Sequence, residues 1–89
     1  MKALTTKEKI ESKTVSEQIT FFPPFTYTYK FQHEGYVFTY DPFSVEGINI
    51  EIPNAADVGD FIDIGINQGV SRNMFVELVY DYLKSLLNH

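Results

Sequence analysis

Eighty-nine residues make a single domain, here with 44% apolar, 16% aromatic and 21% charged residues and a net charge of -5. Apolar content this high excludes a disordered tail, no apolar run approaches the roughly 18 residues of a membrane span, and no charged start, apolar middle and small-residue cleavage site marks a secretory leader. The absence of cysteine excludes disulfides, thiolate zinc sites and Cys nucleophiles, and is compatible with a cytoplasmic home.

A domain of this length buries only about 60–65% of the surface its unfolded chain exposes, so its stability margin is thin. Eight Phe and six Tyr are the material available for a core. Each can bury roughly 150–250 Å². Fourteen aromatics can exceed what one small core encloses, and the expectation is a homodimer that shares part of that surface.

Residues 1–17 are polar and carry Lys2, Lys7, Lys9 and Lys13. Thr5 and Glu8 have capping-box spacing, which predicts a frayed arm or a short helix. Phe21-Phe22-Pro23-Pro24 follows, apolar and stiffened by two prolines that cannot donate inside a sheet. It is expected to clamp the arm onto the body.

From Phe25 the period is two. Phe25, Tyr27, Tyr29 and Phe31 alternate with Thr26, Thr28 and Lys30, a strand with one aromatic face. Gln32-His33-Glu34-Gly35 is turn chemistry, with Gly35 suited to positive φ. Tyr36 to Tyr40 completes a hairpin, and Asp41-Pro42 breaks it. A third strand runs from about Val45 to Ile52, with Ile48, Ile50 and Ile52 on one face and Gly47, Asn49 and Glu51 on the other.

Beyond Asn54 the spacing turns helical. Val58, Phe61, Ile62, Gly65 and Ile66 fall on one helical stripe, weakened by Gly59 and Gly65. After a turn at Gly69-Val70, Ser71 is a good N-cap. Phe75, Leu78, Val79, Tyr82, Leu83 and Leu86 then predict an amphipathic helix over about Arg72 to Leu87. The expected fold class is α+β: an aromatic β-hairpin plus a third strand, followed by two antiparallel helices. It reads as one domain over 1–89, with an arm or short helix at 1–20, a β-rich part at 21–53 and a helical hairpin at 54–89.

Charge is unevenly spread. Between Phe31 and Ser71 there is no Lys or Arg, while Glu34, Asp41, Glu46, Glu51, Asp57, Asp60 and Asp63 give a formal -7. Elsewhere seven bases face five acids, leaving +2. Asp57, Asp60 and Asp63 would share a stripe of the expected first helix. That stripe is either a solvated face near a helix N-terminus or a docking surface for a basic partner, in effect a mimic of nucleic-acid phosphates.

Motifs of catalysis are absent. His33 and His89, the only histidines, lie in an expected turn and at the last residue, exposed and without partners. There is no G-x-S-x-G elbow and no P-loop. Glu46 and Glu51 form no pocketed carboxylate pair. No metal, cofactor or small-molecule substrate is implied, and the expectation is a protein that is not an enzyme. The aromatic strand lacks the cations that base-stacking sheets carry.

Ile48-Asn49-Ile50-Glu51-Ile52-Pro53, a helix, Gly69-Val70-Ser71-Arg72-Asn73 and a second helix together resemble the ribbon-helix-helix family of small DNA-binding repressors and antitoxins. The resemblance covers about Val45 to Leu87. It implies a dimer whose paired strands enter the major groove, with Asn49 and Glu51 facing bases and Ser71, Arg72 and Asn73 gripping a phosphate. Glu51 departs from that pattern, and the strand has no basic residue to neutralise phosphates. A helix-turn-helix reading of Gly65, Gly69, Val70, Phe75 and Leu78 is the alternative for the same segment, with Asn73, Met74, Glu77 and Asp81 outward.

Two functions follow as expectations. One is a dimeric transcriptional regulator or antitoxin bound to DNA. The other is an acidic adaptor or inhibitor that docks on a basic protein, using Tyr36 and Tyr40 as anchors and Asp57, Asp60 and Asp63 for steering.

Overall fold

Ser71 starts the most regular element of the chain. Its hydroxyl accepts from the Met74 N–H at 3.1 Å and its carbonyl from the Phe75 N–H at 2.9 Å. The helix that follows runs Arg72–Leu87, as its periodicity predicts, and buries Phe75, Val76, Val79 and Leu83. The computed structural model describes residues 5–43, 47–54, 59–64 and 69–87. In chain order the elements are α1 (Lys7–Lys13), β1 (Val15–Gln18), β2 (Tyr27–His33), β3 (Tyr36–Tyr40), β4 (Gly47–Glu51), β5 (Gly59–Asp63) and α2 (Arg72–Leu87).

The five strands form one antiparallel meander in the order β1-β2-β3-β4-β5. This corrects the expected hairpin, third strand and helical pair. The fold is α+β, but with a helix near each end of the chain and no helix at 59–63. The reason lies in residues that satisfy two periods at once. Phe61 and Ile62 fit a helical stripe, yet Asp60, Ile62 and Ile64 also alternate with Gly59, Phe61 and Asp63. Gly and Asp are poor helix formers and β-branched Ile favours strands. The edge of β4 offers a row of backbone donors and acceptors that need partners. Pairing there sets Ile62 opposite the fully buried Ile48. Val58, Gly65 and Ile66, the rest of the helical stripe, lie outside the described residues.

The arm is also more structured than its polarity suggests. Thr6, one residue after the expected cap, accepts from the Lys9 N–H at 3.2 Å and opens α1. Thr14 closes it, with both its N–H and its hydroxyl on the Ile10 carbonyl. Ile10 is fully buried. β1 then pairs with β2 in the register Val15↔Lys30 to Gln18↔Tyr27.

One sheet face carries the core. Tyr29 and Phe31 on β2 stand opposite Tyr40 and Phe38 on β3, which stand opposite Ile48 and Ile50 on β4. The cross-strand rings pair at 6.0 Å (Tyr29–Tyr40) and 6.1 Å (Phe31–Phe38). α2 lays Phe75 against Tyr29 at 5.5 Å and Tyr82 edge-on to Phe38 at 5.6 Å. Such aromatic pairs contribute about 0.5–1.5 kcal/mol beyond the area they bury. α1 lies antiparallel beside α2, because Lys7 meets Glu77 while Glu11 meets Arg72.

The β2–β3 hairpin turns through Glu34 and Gly35, at φ 48° and 86°. Positive φ at both central residues is the primed turn whose twist matches the flanking strands. Gly47 on β4 is needed for a different reason. A Cβ there would overlap the Ile62 carbonyl oxygen and the ring of Phe61, which lies over the glycine from β5.

Candidate partner-binding surfaces

The sheet has a face that the core does not use. On it Val15, Lys30, Thr39, Asn49 and Phe61 form a row across all five strands. Lys13 and Lys30 border one shallow depression with Val15 and Gln32 at the β1–β2 side. Glu51 and Asp63 stand on β4 and β5 at the other side, both exposed. Charge is thus uneven across the sheet: Lys13, Lys30 and the exposed Glu17 of β1 stand at one edge, and acids alone at the other.

Asn49 and Glu51 lie on this uncovered face. They do not stand on a free ribbon. β4 is paired with β3 on one edge and β5 on the other, so the strand that the resemblance would give to a dimer partner is interior to its own sheet. The segment after it is a strand and not a helix. Ser71 caps α2 and Arg72 and Asn73 open it, on the opposite face, and none of them is brought near Asn49 or Glu51.

Arg72 has an internal role. Its Nε donates to the Glu11 carboxylate at 2.7 Å. Its two terminal nitrogens donate to the carbonyls of Glu11 and Thr14, each at 2.7 Å, and to the Ser16 hydroxyl at 3.2 Å. The planar fork therefore caps the C-terminal end of α1 and holds the start of β1. Arg72, not the Phe-Phe-Pro-Pro segment, is the clamp between arm and body. Asn73 is exposed in the groove between the two helices, beside Glu11 and Glu77.

The expected tyrosine anchors are largely used by the core. Tyr40 is only 5% exposed and stacks on Tyr29. Tyr36 is half-buried between Phe38 and Tyr82. Asp60 and Asp63 share no helical stripe. They lie on β5, with Asp63 opposite Gly47 and Asp60 opposite the buried Ile50 on the helix-covered face. Asp60 accepts from the Phe61 N–H at 2.8 Å and from the Tyr82 hydroxyl. Burial first, then the charge and hydrogen bond of Asp60, push the Tyr82 phenol up to about 12. Asp57, Glu46 and His89 lie outside the described residues. His33 is not an exposed turn residue: it ends β2, half-buried, with its ring stacked on Phe31 at 6.1 Å and Nε2 3.7 Å from Glu34.

Sequence reasoning expected surplus aromatic surface but not its place, setting Phe25 in the first aromatic strand and Phe21-Phe22 against the body. Phe21 and Phe22 are 75% and 83% exposed, Phe25 51% and Phe43 69%. All stand at one end of the sheet, in the β1–β2 and β3–β4 connections. The signal was present. Pro23 and Pro24 interrupt the aromatic run at Phe21–Phe25, and Pro42 precedes Phe43, so these rings fall outside paired strands.

Among the described residues no group of three or more His, Asp or Glu is placed to hold a metal ion, and no helix is long and apolar enough to cross a membrane. Among the described residues the arrangement is a two-layer α+β protein with one sheet face left uncovered and acids concentrated at its β4–β5 side. Comparisons with family models, with curated proteins and with solved structures gave no match.

Proposed function

We propose that this chain is a non-enzymatic binding protein that docks its β4–β5 side on a basic protein surface. The observation that carries the reading is the concentration of acids: Glu51 and Asp63 stand exposed on neighbouring strands, in a stretch from Phe31 to Ser71 without a single Lys or Arg. A field of one sign over one side steers encounter with a surface of the other sign and fixes the register of the complex. The DNA reading lacks this support, because its phosphate-gripping arginine is bonded to Glu11, Thr14 and Ser16.

The test is recovery of a partner from native extract at low salt, with wild type and with Glu51→Lys/Asp63→Lys. Asp60 is left unchanged because it bonds Tyr82. A basic protein held by wild type and released by the double reversal supports the proposal. Binding that survives reversal, or that does not weaken with salt, refutes it.

A further inference from the structure

We infer that the β1–β2 loop, together with Phe43, is the apolar anchor of this docking and inserts into an apolar cleft with a cationic rim on a partner protein. The inference rests on the acidic-docking reading and adds the contact that supplies affinity. Phe21, Phe22, Phe25 and Phe43 are each at least half exposed at the same end of the sheet. At roughly 150–250 Å² per ring, they present several hundred Å² of apolar surface, a size that in a monomer marks a binding site.

The loop is held in shape without packing its rings. The Thr20 hydroxyl accepts from the Thr26 N–H at 2.7 Å and from the Thr26 hydroxyl at 3.1 Å, and donates to the Pro24 carbonyl at 3.2 Å. Gln18 Nε2 donates to the Thr20 carbonyl at 2.7 Å, and the Ile19 N–H to the Thr26 carbonyl at 2.9 Å. Two prolines stiffen the rest. A loop ordered before binding loses little entropy when it docks, which is how preorganised anchors gain affinity.

Charge selects the occupant. Glu17, Asp41 and Asp63 flank this end of the sheet, where the nearby Arg72 is bonded to Glu11 and Lys30 lies further along β2. An anionic bilayer would be repelled. A second copy meeting tip to tip would bring the same acids together. A protein cleft rimmed by Lys or Arg matches both the rings and the acids around them.

The experiment places a benzophenone side chain at position 22 of the full chain and crosslinks in the cells the protein comes from, with the adduct mapped by mass spectrometry. The expected adduct lies in an apolar cleft bordered by Lys or Arg. Phe21→Ser/Phe22→Ser should then lose about thirty-fold or more in affinity for that protein, with an unchanged melting temperature because both rings are outside the core. Thr20→Val, which keeps the rings and loosens the loop, should weaken binding less. No adduct, an adduct to another copy of this chain, an adduct on a polar or acidic surface, or unchanged affinity of the double variant each overturns the inference. So does flotation of wild type, but not of the double variant, with phosphatidylcholine–phosphatidylglycerol vesicles. Glu51→Lys/Asp63→Lys in the same assay separates the two readings. If only the serine variant fails to bind, the anchor stands and acidic docking falls; if only the lysine variant fails, the reverse holds.

Discussion

Arg72 and Glu11 stand 61 positions apart in the chain and meet at 2.7 Å, joining the first turn of α2 to the last turn of α1. The same guanidinium holds the Glu11 and Thr14 carbonyls. Helix α1 has only seven residues, too few to persist alone in water. Its existence depends on Ile10 in the core and on this arginine.

Arg72→Ala is therefore expected to destabilise the fold by about 1–3 kcal/mol, the range for charge-assisted bonds to partly buried carbonyls. Arg72→Lys should recover little, since an ammonium cannot span the four acceptors the guanidinium holds. Urea unfolding reads the loss. Hydrogen exchange should find the amides of residues 10–18 deprotected first. Equal protection in wild type and variant would contradict the clamp.

At Glu34 the fold tolerates a residue that its backbone does not favour. A φ of 48° is left-handed, a region in which a non-glycine residue is strained by roughly 1–2 kcal/mol and in which Asn is the best tolerated. Glu34→Asn creates the Asn-Gly pair preferred in primed turns and should raise stability by about 0.5–1 kcal/mol, seen as a higher urea midpoint at constant m. The His33–Glu34 contact, at 3.7 Å, is longer than a hydrogen bond and too weak to offset this.

Gly47→Ala should do the opposite. The added methyl meets the Ile62 carbonyl and the Phe61 ring. Overpacking of this kind typically destabilises by about 1–3 kcal/mol. Phe61→Ala in the same chain frees only the ring side, so the double variant should stay below wild type in thermal unfolding. Full recovery would show that the backbone of β5 is not the obstacle.

Alkaline pH should unfold the protein through its tyrosines. In the unfolded chain Tyr82 ionises near 10.0, whereas in the fold it holds its proton to about 12. A raised value of this kind contributes stability fully present below pH 10 and lost as pH climbs through 12. Tyr29 acts in the same sense, raised by burial and partly opposed by Arg72. Tyrosinate absorbance and far-ultraviolet circular dichroism should change together in this window. Tyr82→Phe should flatten the fall, and a titration in which it does not would exclude Tyr82 as the source.

Strong patterns in the sequence correspond to deeply buried elements. β2 and β3 alternate around Tyr29, Phe31, Phe38 and Tyr40; α2 begins and ends where its cap and stripe put it. What was illegible is shallow. β1 is four mostly polar residues with Val15 65% exposed, so it carries no apolar period. β5 fits two periods, and only the open edge of β4 chooses between them. α1 is marked by a single buried residue, Ile10. The candidate site was legible only in part. Acidity over 31–71 is visible in composition. Which acids face outward depends on β5 being a strand. The role of Arg72 depends on elements 61 positions apart.

Asp60 also bears on association between copies of the chain. Among the described residues β5 is the outermost strand on its side, the kind of border on which copies of a protein can pair. The Phe61 amide there already donates to the Asp60 carboxylate, in the chain's own grip. A strand aligning with that border meets a carboxylate where it needs a donor, so pairing at this position carries a cost that an unoccupied amide would not impose.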